Sequence, residues 1–435
     1  MKISVLGLWH LGCVYSAGLA YFGHTVNAWD EDENIIANLR KANAPIYEPQ
    51  LNDLIKESVS KGKLNFYTDL HSALKDGEII WIAYDTPVGD NDNADCDFVY
   101  EKIKTAVNLS NKNSIIIVSS QLPAGSIRKM EDYAKSQNRN DLNFVCAPEN
   151  LRLGKAIEVF SKPDRIICGI RNTAVKEKMK EIFAPITDKV EYMSIESAEI
   201  TKHAVNAFLA MSVVFANEIA SICEMFGGGG GSIRADAKEV ERGLKTESRI
   251  GKYAYLGPGL AFAGGTLARD IAFLSEIAAK NNKSSILFPN IAASNAHHKR
   301  WVIDKTKEVL KNLKGRKISL WGLTYKPETN TLRRSAAIEY AKVFKQEGAE
   351  IFAYDPSLLG LPSELKTTIT LCQSPDIAAK EADILIICSN WKDFLDIDAD
   401  KIVQGMKNSN IIDPTRFLYE QFKNAKGYYA VGLNI

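Results

Sequence analysis

The chain has 435 residues, too many for one ordinary hydrophobic core, so two or three domains are expected. Apolar residues make up 46%, normal for a globular protein, and the formal net charge is +1. That balance gives no bulk attraction to nucleic acid or to a membrane, and no apolar run reaches the roughly 18 residues of a spanning helix.

The start, MKISVLGLWHLG, enters a strand at once, without a charged leader. Lys2 to Gly7 is a short apolar run ending in glycine. A helical pattern follows through Ala20, and His24 to Asp30 reads as a second strand ending in an acid. Strand, glycine turn, helix, strand and acid open a βαβ dinucleotide fold. Buried-type strands recur at Glu78–Ala83, Ser114–Ser119 and Asn143–Ala147. Their alternation with helices predicts a parallel sheet covered on both faces. From about Glu196 apolar residues fall at helical spacing, and a second helical stretch spans Asn290 to Leu313. Strands at 317–322, 349–356, 383–389 and 410–417 form a second doubly wound sheet. The fold class is α/β: two doubly wound, Rossmann-like domains joined by a helical centre.

Two features stand outside this alternation. Gly227 to Ser232, GGGGGS, interrupts helical sequence with the composition of a flexible linker, natural or inserted. The seven cysteines at 13, 96, 146, 168, 223, 372 and 388 include no C-x-x-C pair. An odd, scattered set points to a reducing, cytoplasmic setting and to no metal site.

The first turn, Gly7-Leu8-Trp9-His10-Leu11-Gly12, follows G-x-G-x-x-G except that Trp9 holds the second glycine position. Asp30 ends the second strand about 20 residues on, where an acid binds the adenosine ribose and favours NAD over NADP. The same residues also suit a helix start with a packed Trp and an acid capping a turn. Lys202 and Asn206 stand at i and i+4, so they share one helix face. Alone, such a pair suits a solvated face as well as a site.

The stretch Gly257 to Asp270, GPGLAFAGGTLARD, is crowded with small residues and ends in polar ones. It resembles the active-site loop of the UDP-glucose/GDP-mannose dehydrogenase family, which reads G-F-G-G-S-C-F-x-K-D. The ungapped match puts Phe262 on the Phe, Thr266 on the catalytic cysteine, Arg269 on the Lys and Asp270 on the Asp. The resemblance covers nearly the whole chain. Pro45-Ile46-Tyr47-Glu48-Pro49 resembles P-I-Y-E-P, and Asp85-Thr86-Pro87 resembles x-T-P. Ser120 to Ser126 resembles S-T-V-P-x-G-T with Gln121 for Thr. Cys146 to Leu151 resembles N-P-E-F-L. Gly154 and Pro163-Asp164-Arg165 continue the match, with Leu153 replacing a Glu. Lys202 and Asn206 match K-x-x-x-N. Tyr325 to Ser335 resembles F-K-x-x-T-D-D-x-R-x-S, with Asn330-Thr331 in place of the acidic pair.

The resemblance implies an NAD-dependent oxidoreductase acting on the primary alcohol of a nucleotide-sugar, and three domains. These are an NAD-binding domain over 1–194, a helical dimerisation domain over 195–300 and a UDP-sugar-binding domain over 301–435. Gly7, Trp9, His10, Leu11, Gly12, Asp30, Thr86 and Gln121 would hold NAD. Glu149, Lys202, Asn206, Thr266 and Asp270 would carry the chemistry. Leu151, Phe262, Lys326 and Arg333 would hold the UDP-sugar, with Arg249 reaching across the interface of a homodimer or larger homo-oligomer. The family's thiolate traps an aldehyde between two hydride transfers. A threonine hydroxyl is far less acidic. Thr266 therefore leaves three readings: a second oxidation without a thioester, a single reversible hydride transfer as in an epimerase, or a non-catalytic sugar-nucleotide binder.

Overall fold

The computed structural model describes residues 1–87, 89, 94–226, 234–262 and 265–433. The GGGGGS segment, and Ala263 and Gly264 of the glycine-rich loop, lie outside the described residues. The chain forms two compact units, Met1–Ala204 and Val205–Ile435.

The first unit is built on eight strands: β1 (Lys2–Leu6), β2 (Thr25–Trp29), β3 (Leu64–Tyr67), β4 (Ile79–Ile82), β5 (Ile115–Val118), β6 (Asn143–Cys146), β7 (Ile166–Gly169) and β8 (Val190–Met193). Their order across the sheet is β3-β2-β1-β4-β5-β6-β7-β8. The central strands IIWI and IIIV are buried at every residue. Such runs form where helices cover both faces of a sheet. One junction departs from the expected parallel sheet: β6 and β7 pair antiparallel, through Cys146 and Gly169. A parallel crossover must run back along the sheet before the next strand begins. Here the connection carries only the six-residue helix Ala156–Ser161 and stays at the C-terminal end of β6. The reversal keeps Glu149 and its neighbours at that edge.

The second unit carries β9 (Lys317–Trp321), β10 (Glu350–Tyr354), β11 (Thr370–Leu371), β12 (Ile384–Ile387), β13 (Asn410–Ile412) and β14 (Gly427–Tyr429). All pairings are parallel, in the order β11-β10-β9-β12-β13-β14. The strand expected over 410–417 stops at Ile412. The Asp413 carboxylate accepts from the N–H groups of Phe417 at 3.1 Å and Leu418 at 2.7 Å, which turns the chain instead.

The two sheets share a local device. Gly7 ends β1 with φ +91° and donates its N–H to Trp29 O. Gly322 ends β9 with φ +84° and donates to Tyr354 O. Asp30 follows β2 and accepts from Leu8 N at 2.6 Å, while Asp355 follows β10 and accepts from Leu323 N at 2.7 Å.

The helix Ile195–Met225 has 31 residues, and the boundary between the units falls within it. Polar residues break its apolar runs well short of 18 residues, but as a whole this helix is long and apolar enough to cross a membrane by length and composition. Three of its polar residues are bonded to distant parts of the chain. Glu199 accepts from Gly125 N and Ile127 N, Asn217 accepts from Gly259 N, and Glu224 accepts from Trp301 Nε1.

A methyl group on Gly322 would lie 2.3 Å from Ser389 Oγ at a positive φ. Gly322→Ala should cost about 1–3 kcal/mol of unfolding free energy in a urea titration. Gly62→Ala, at φ +65° with open space around it, should cost only about 1 kcal/mol.

Candidate functional site

The turn after β1 has the geometry of a dinucleotide loop. A Cβ on Gly12 would fall 1.6 Å from Gly7 O, so the helix His10–Tyr21 packs directly on the turn. Trp9 precedes that helix with φ −85°, a conformation that needs no glycine, and its indole is exposed. The Asp30 carboxylate also accepts from Asp32 N at 3.0 Å. With bonds from Leu8 and Asp32, one to each oxygen, it still has lone pairs for a ribose. These residues fit a dinucleotide.

Three further contacts tie the turn to its surroundings. His10 Nε2 lies 2.9 Å from Glu48 Oε2. Glu48, buried, also accepts from Gly154 N and Ala156 N at 2.8 Å each. Burial opposes its charge, but the bonds from His10, Gly154 and Ala156 outweigh that and hold the carboxyl below its ordinary range. Glu48 is thus the anchor of the P-I-Y-E-P segment, a role its sequence pattern did not disclose. Leu11 N donates to Asp85 Oδ2 at 3.2 Å, and Thr86 Oγ1 donates to Gln121 O at 2.6 Å.

A pocket opens at the C-terminal edge of β5 and β6, lined by Gln121, Cys146, Glu149, Glu199 and Lys202. Lys202 Nζ donates to the Glu149 carbonyl at 2.5 Å and stands 3.1 Å from its carboxylate. Leu151 N donates to the other Glu149 oxygen at 2.6 Å. A lysine paired to a carboxylate in a half-buried pocket can hold or move a proton. Glu199 was not anticipated. Burial pushes its carboxyl up, and the N–H groups it caps on Gly125 and Ile127 oppose that. The side chain of Leu151 packs against the core rather than standing clear of it.

In the second unit, Asn206 Nδ2 donates to Asp270, which is fully buried. Gly259 and Phe262, ahead of it in the chain, are held by side chains. Asn217 accepts from Gly259 N at 2.9 Å, and His298 Nε2 lies 2.7 Å from Gly259 O. Asn295 bonds both the N–H and the carbonyl of Phe262, at 2.9 and 3.0 Å. Phe262 packs in a small cluster with Ala210 and Ile271. Thr266 is exposed in the first turn of the helix Gly265–Lys280. Lys326 is half-buried and Arg333 exposed on the turn after β9. Thr324 and Thr329 hydroxyls close that turn on Lys326 O at 3.2 and 3.0 Å. Arg249 is 86% exposed and pairs with Glu247 at 3.0 Å.

Because a carboxylate repels a 2′-phosphate, NAD should bind more tightly than NADP in calorimetry. Asp30→Asn keeps an acceptor for Leu8 N–H while removing the charge, and should narrow that preference by about tenfold or more. Equal binding of both cofactors by the unmodified protein would remove Asp30 from the ribose.

The comparisons with known proteins cover the whole chain. Residues 1–187 match the NAD binding domain of the UDP-glucose/GDP-mannose dehydrogenase family, 196–297 its central domain and 319–420 its UDP binding domain. The chain is 33% identical to the UDP-glucose 6-dehydrogenase of Rhizobium meliloti over 98% of its own length and 97% of that protein's. It is 32% identical to the UDP-glucose 6-dehydrogenase of Rickettsia bellii over 100% of both. Among solved structures, a UDP-glucose dehydrogenase from Pyrobaculum islandicum superposes with a TM-score of 0.88 at 25% identity, covering 99% of this chain and 97% of that one. The chain belongs to the UDP-glucose/GDP-mannose dehydrogenase family, as an NAD-dependent nucleotide-sugar dehydrogenase.

Proposed function

We propose that this enzyme oxidises the primary alcohol of UDP-glucose or a closely similar UDP-sugar, with Thr266 beside the reacting carbon and no thioester. The observation that carries the reading is the placement of Thr266. It is exposed, and Asn217, Asn295 and His298 bond the backbone of Gly259 and Phe262 a few residues before it. The names of the similar proteins support UDP-glucose as the substrate. Bound NAD accepts hydride. Lys202 stabilises the alkoxide as hydride leaves, and Glu149 holds the proton inventory of that lysine. Asn206 and Asp270 fix a polar position from which water can be oriented. Lys326 and Arg333 hold the diphosphate, where charge-assisted bonds are strongest. Arg249, exposed on its own subunit, completes the site of a second copy in a homodimer.

Without a thiolate, the second oxidation runs through the aldehyde hydrate. A hydroxyl lacks the nucleophilicity of sulfur at neutral pH. The enzyme should therefore form about one NADH per sugar in its fast phase, with aldehyde trappable by a hydrazine reagent. Thr266→Cys should speed the second phase. Two NADH per sugar in one phase without trappable aldehyde would refute this, and a single NADH with aldehyde as the final product would establish one hydride transfer.

Arg333→Ala should weaken UDP binding roughly tenfold to a hundredfold, the loss of one charge-assisted contact, while NAD affinity stays constant. Unaltered UDP affinity in calorimetry would place the diphosphate elsewhere.

A further inference from the structure

We infer that Arg334 is a catalytic residue of the second oxidation, the cation that stabilises the oxyanion of the aldehyde hydrate. This rests on the reading of Thr266 as the residue beside the reacting carbon. Two independent observations point to Arg334 rather than to its neighbour Arg333. Its backbone is left-handed, with φ +60°, although it is not glycine. Such a conformation is strained for a residue with a side chain and persists where the surroundings hold it. Its guanidinium also fills the space in front of Gly265. A Cβ on Gly265 would lie 1.8 Å from Nη1 and 2.9 Å from Cζ of Arg334. No side chain larger than hydrogen at 265 is compatible with the arginine in this position. Gly265 immediately precedes Thr266 and begins the helix Gly265–Lys280.

The guanidinium thus lies against Gly265, the immediate chain neighbour of Thr266. Tyr325 borders the same cation, which lowers its phenol pKa in opposition to the larger effect of burial.

The step needs only water, the sugar aldehyde and NAD. Water adds to the aldehyde carbon and gives the hydrate. One hydrate hydroxyl loses its proton to solvent, leaving an oxyanion. The carbon then loses hydride to NAD, the C–O bond becomes a carbonyl, and the products are a carboxylic acid and NADH. A thioester route spreads this charge problem over two covalent steps. A hydrate route meets it in one, and a cation beside the hydrate favours loss of the hydroxyl proton that must precede hydride transfer. A guanidinium stays charged throughout the working pH range and presents parallel N–H donors.

The test follows NADH formation from UDP-glucose and NAD in a stopped-flow instrument, with UDP affinity measured beside it. Arg334→Gln should lower the ratio of second-phase to first-phase rate by about a hundredfold. Gly265→Ala keeps the arginine but evicts it, and should lower the same ratio. Arg334→Lys should restore part of it. If Arg334→Gln and Gly265→Ala both leave the ratio within twofold, the inference is wrong. It is equally wrong if both phases and UDP affinity fall together, which marks a structural role, or if the unmodified enzyme forms no second NADH. Thr266→Cys separates the two levels. A faster second phase in that variant upholds the reading of Thr266 even where Arg334 fails, and no change in either phase overturns both.

Discussion

The sheet edges depend on a buried carboxylate that crosses from one strand end to the next. Asp30 reaches the N–H of Leu8, and Asp355 reaches the N–H groups of Leu323 and Thr324. Each bond fixes a turn that begins with a glycine at positive φ, which no other residue adopts without strain. A charge-assisted bond inside a buried turn is expensive to lose, because the carboxylate would be left unpaired. The turn in turn aims a helix N-terminus or a basic loop outward. The positions of His10 to Gly12 in one unit, and of Lys326 to Arg334 in the other, follow from that one device. It also explains how two domains with little obvious sequence likeness share strand orders around their first strands.

Much of this was legible in the chain because the signals are local. The runs KISVL, IIWI and IIIV allow few alternatives to buried strands, and Gly7 with Asp30 marks the turn. What escaped was non-local or short. The strands LNFY and VEYM are half-exposed four-residue pieces, whose alternation is too brief to stand out from loop sequence. The antiparallel entry of β7 depends on a connection that stays at one edge, which no residue type announces. Asp413 looked like the middle of a strand until its carboxylate was seen to capture Phe417 and Leu418.

The candidate site divides in the same way. Lys202 with Glu149, and Asn206 with Asp270, were named from motifs, and each pair is bonded in the structure. Glu48 enters only within the P-I-Y-E-P match, and Glu199 and Arg334 stand in no motif as site residues. Each acts through a partner distant in sequence: Gly154 and Ala156, Gly125 and Ile127, or Gly265. A carboxylate whose value lies in capping remote N–H groups carries no spacing signature of its own. Arg334 was hidden for a different reason. Beside Arg333 it reads as one more cation on a basic loop, and only the space in front of Gly265 distinguishes the two.

Asp85 shows how far a motif match can hide a local conflict. Its carboxylate accepts from Leu11 N at 3.2 Å, at the first turn of the helix His10–Tyr21. A helix N-terminus is the usual seat of a dinucleotide pyrophosphate, because its N–H groups are unpaired and its dipole is positive. Here one of those N–H groups is already engaged by an anion. Asp85 is exposed, so water and salt screen its charge from an anion at the helix start. Asp30 suffers no such conflict, since its partners are the N–H groups of Leu8 and Asp32 and a ribose offers it hydroxyl donors. Trp9 adds an exposed indole where other dinucleotide loops have only glycine. Its flat apolar face is open to solvent at the start of the helix, beside the N–H groups of the turn.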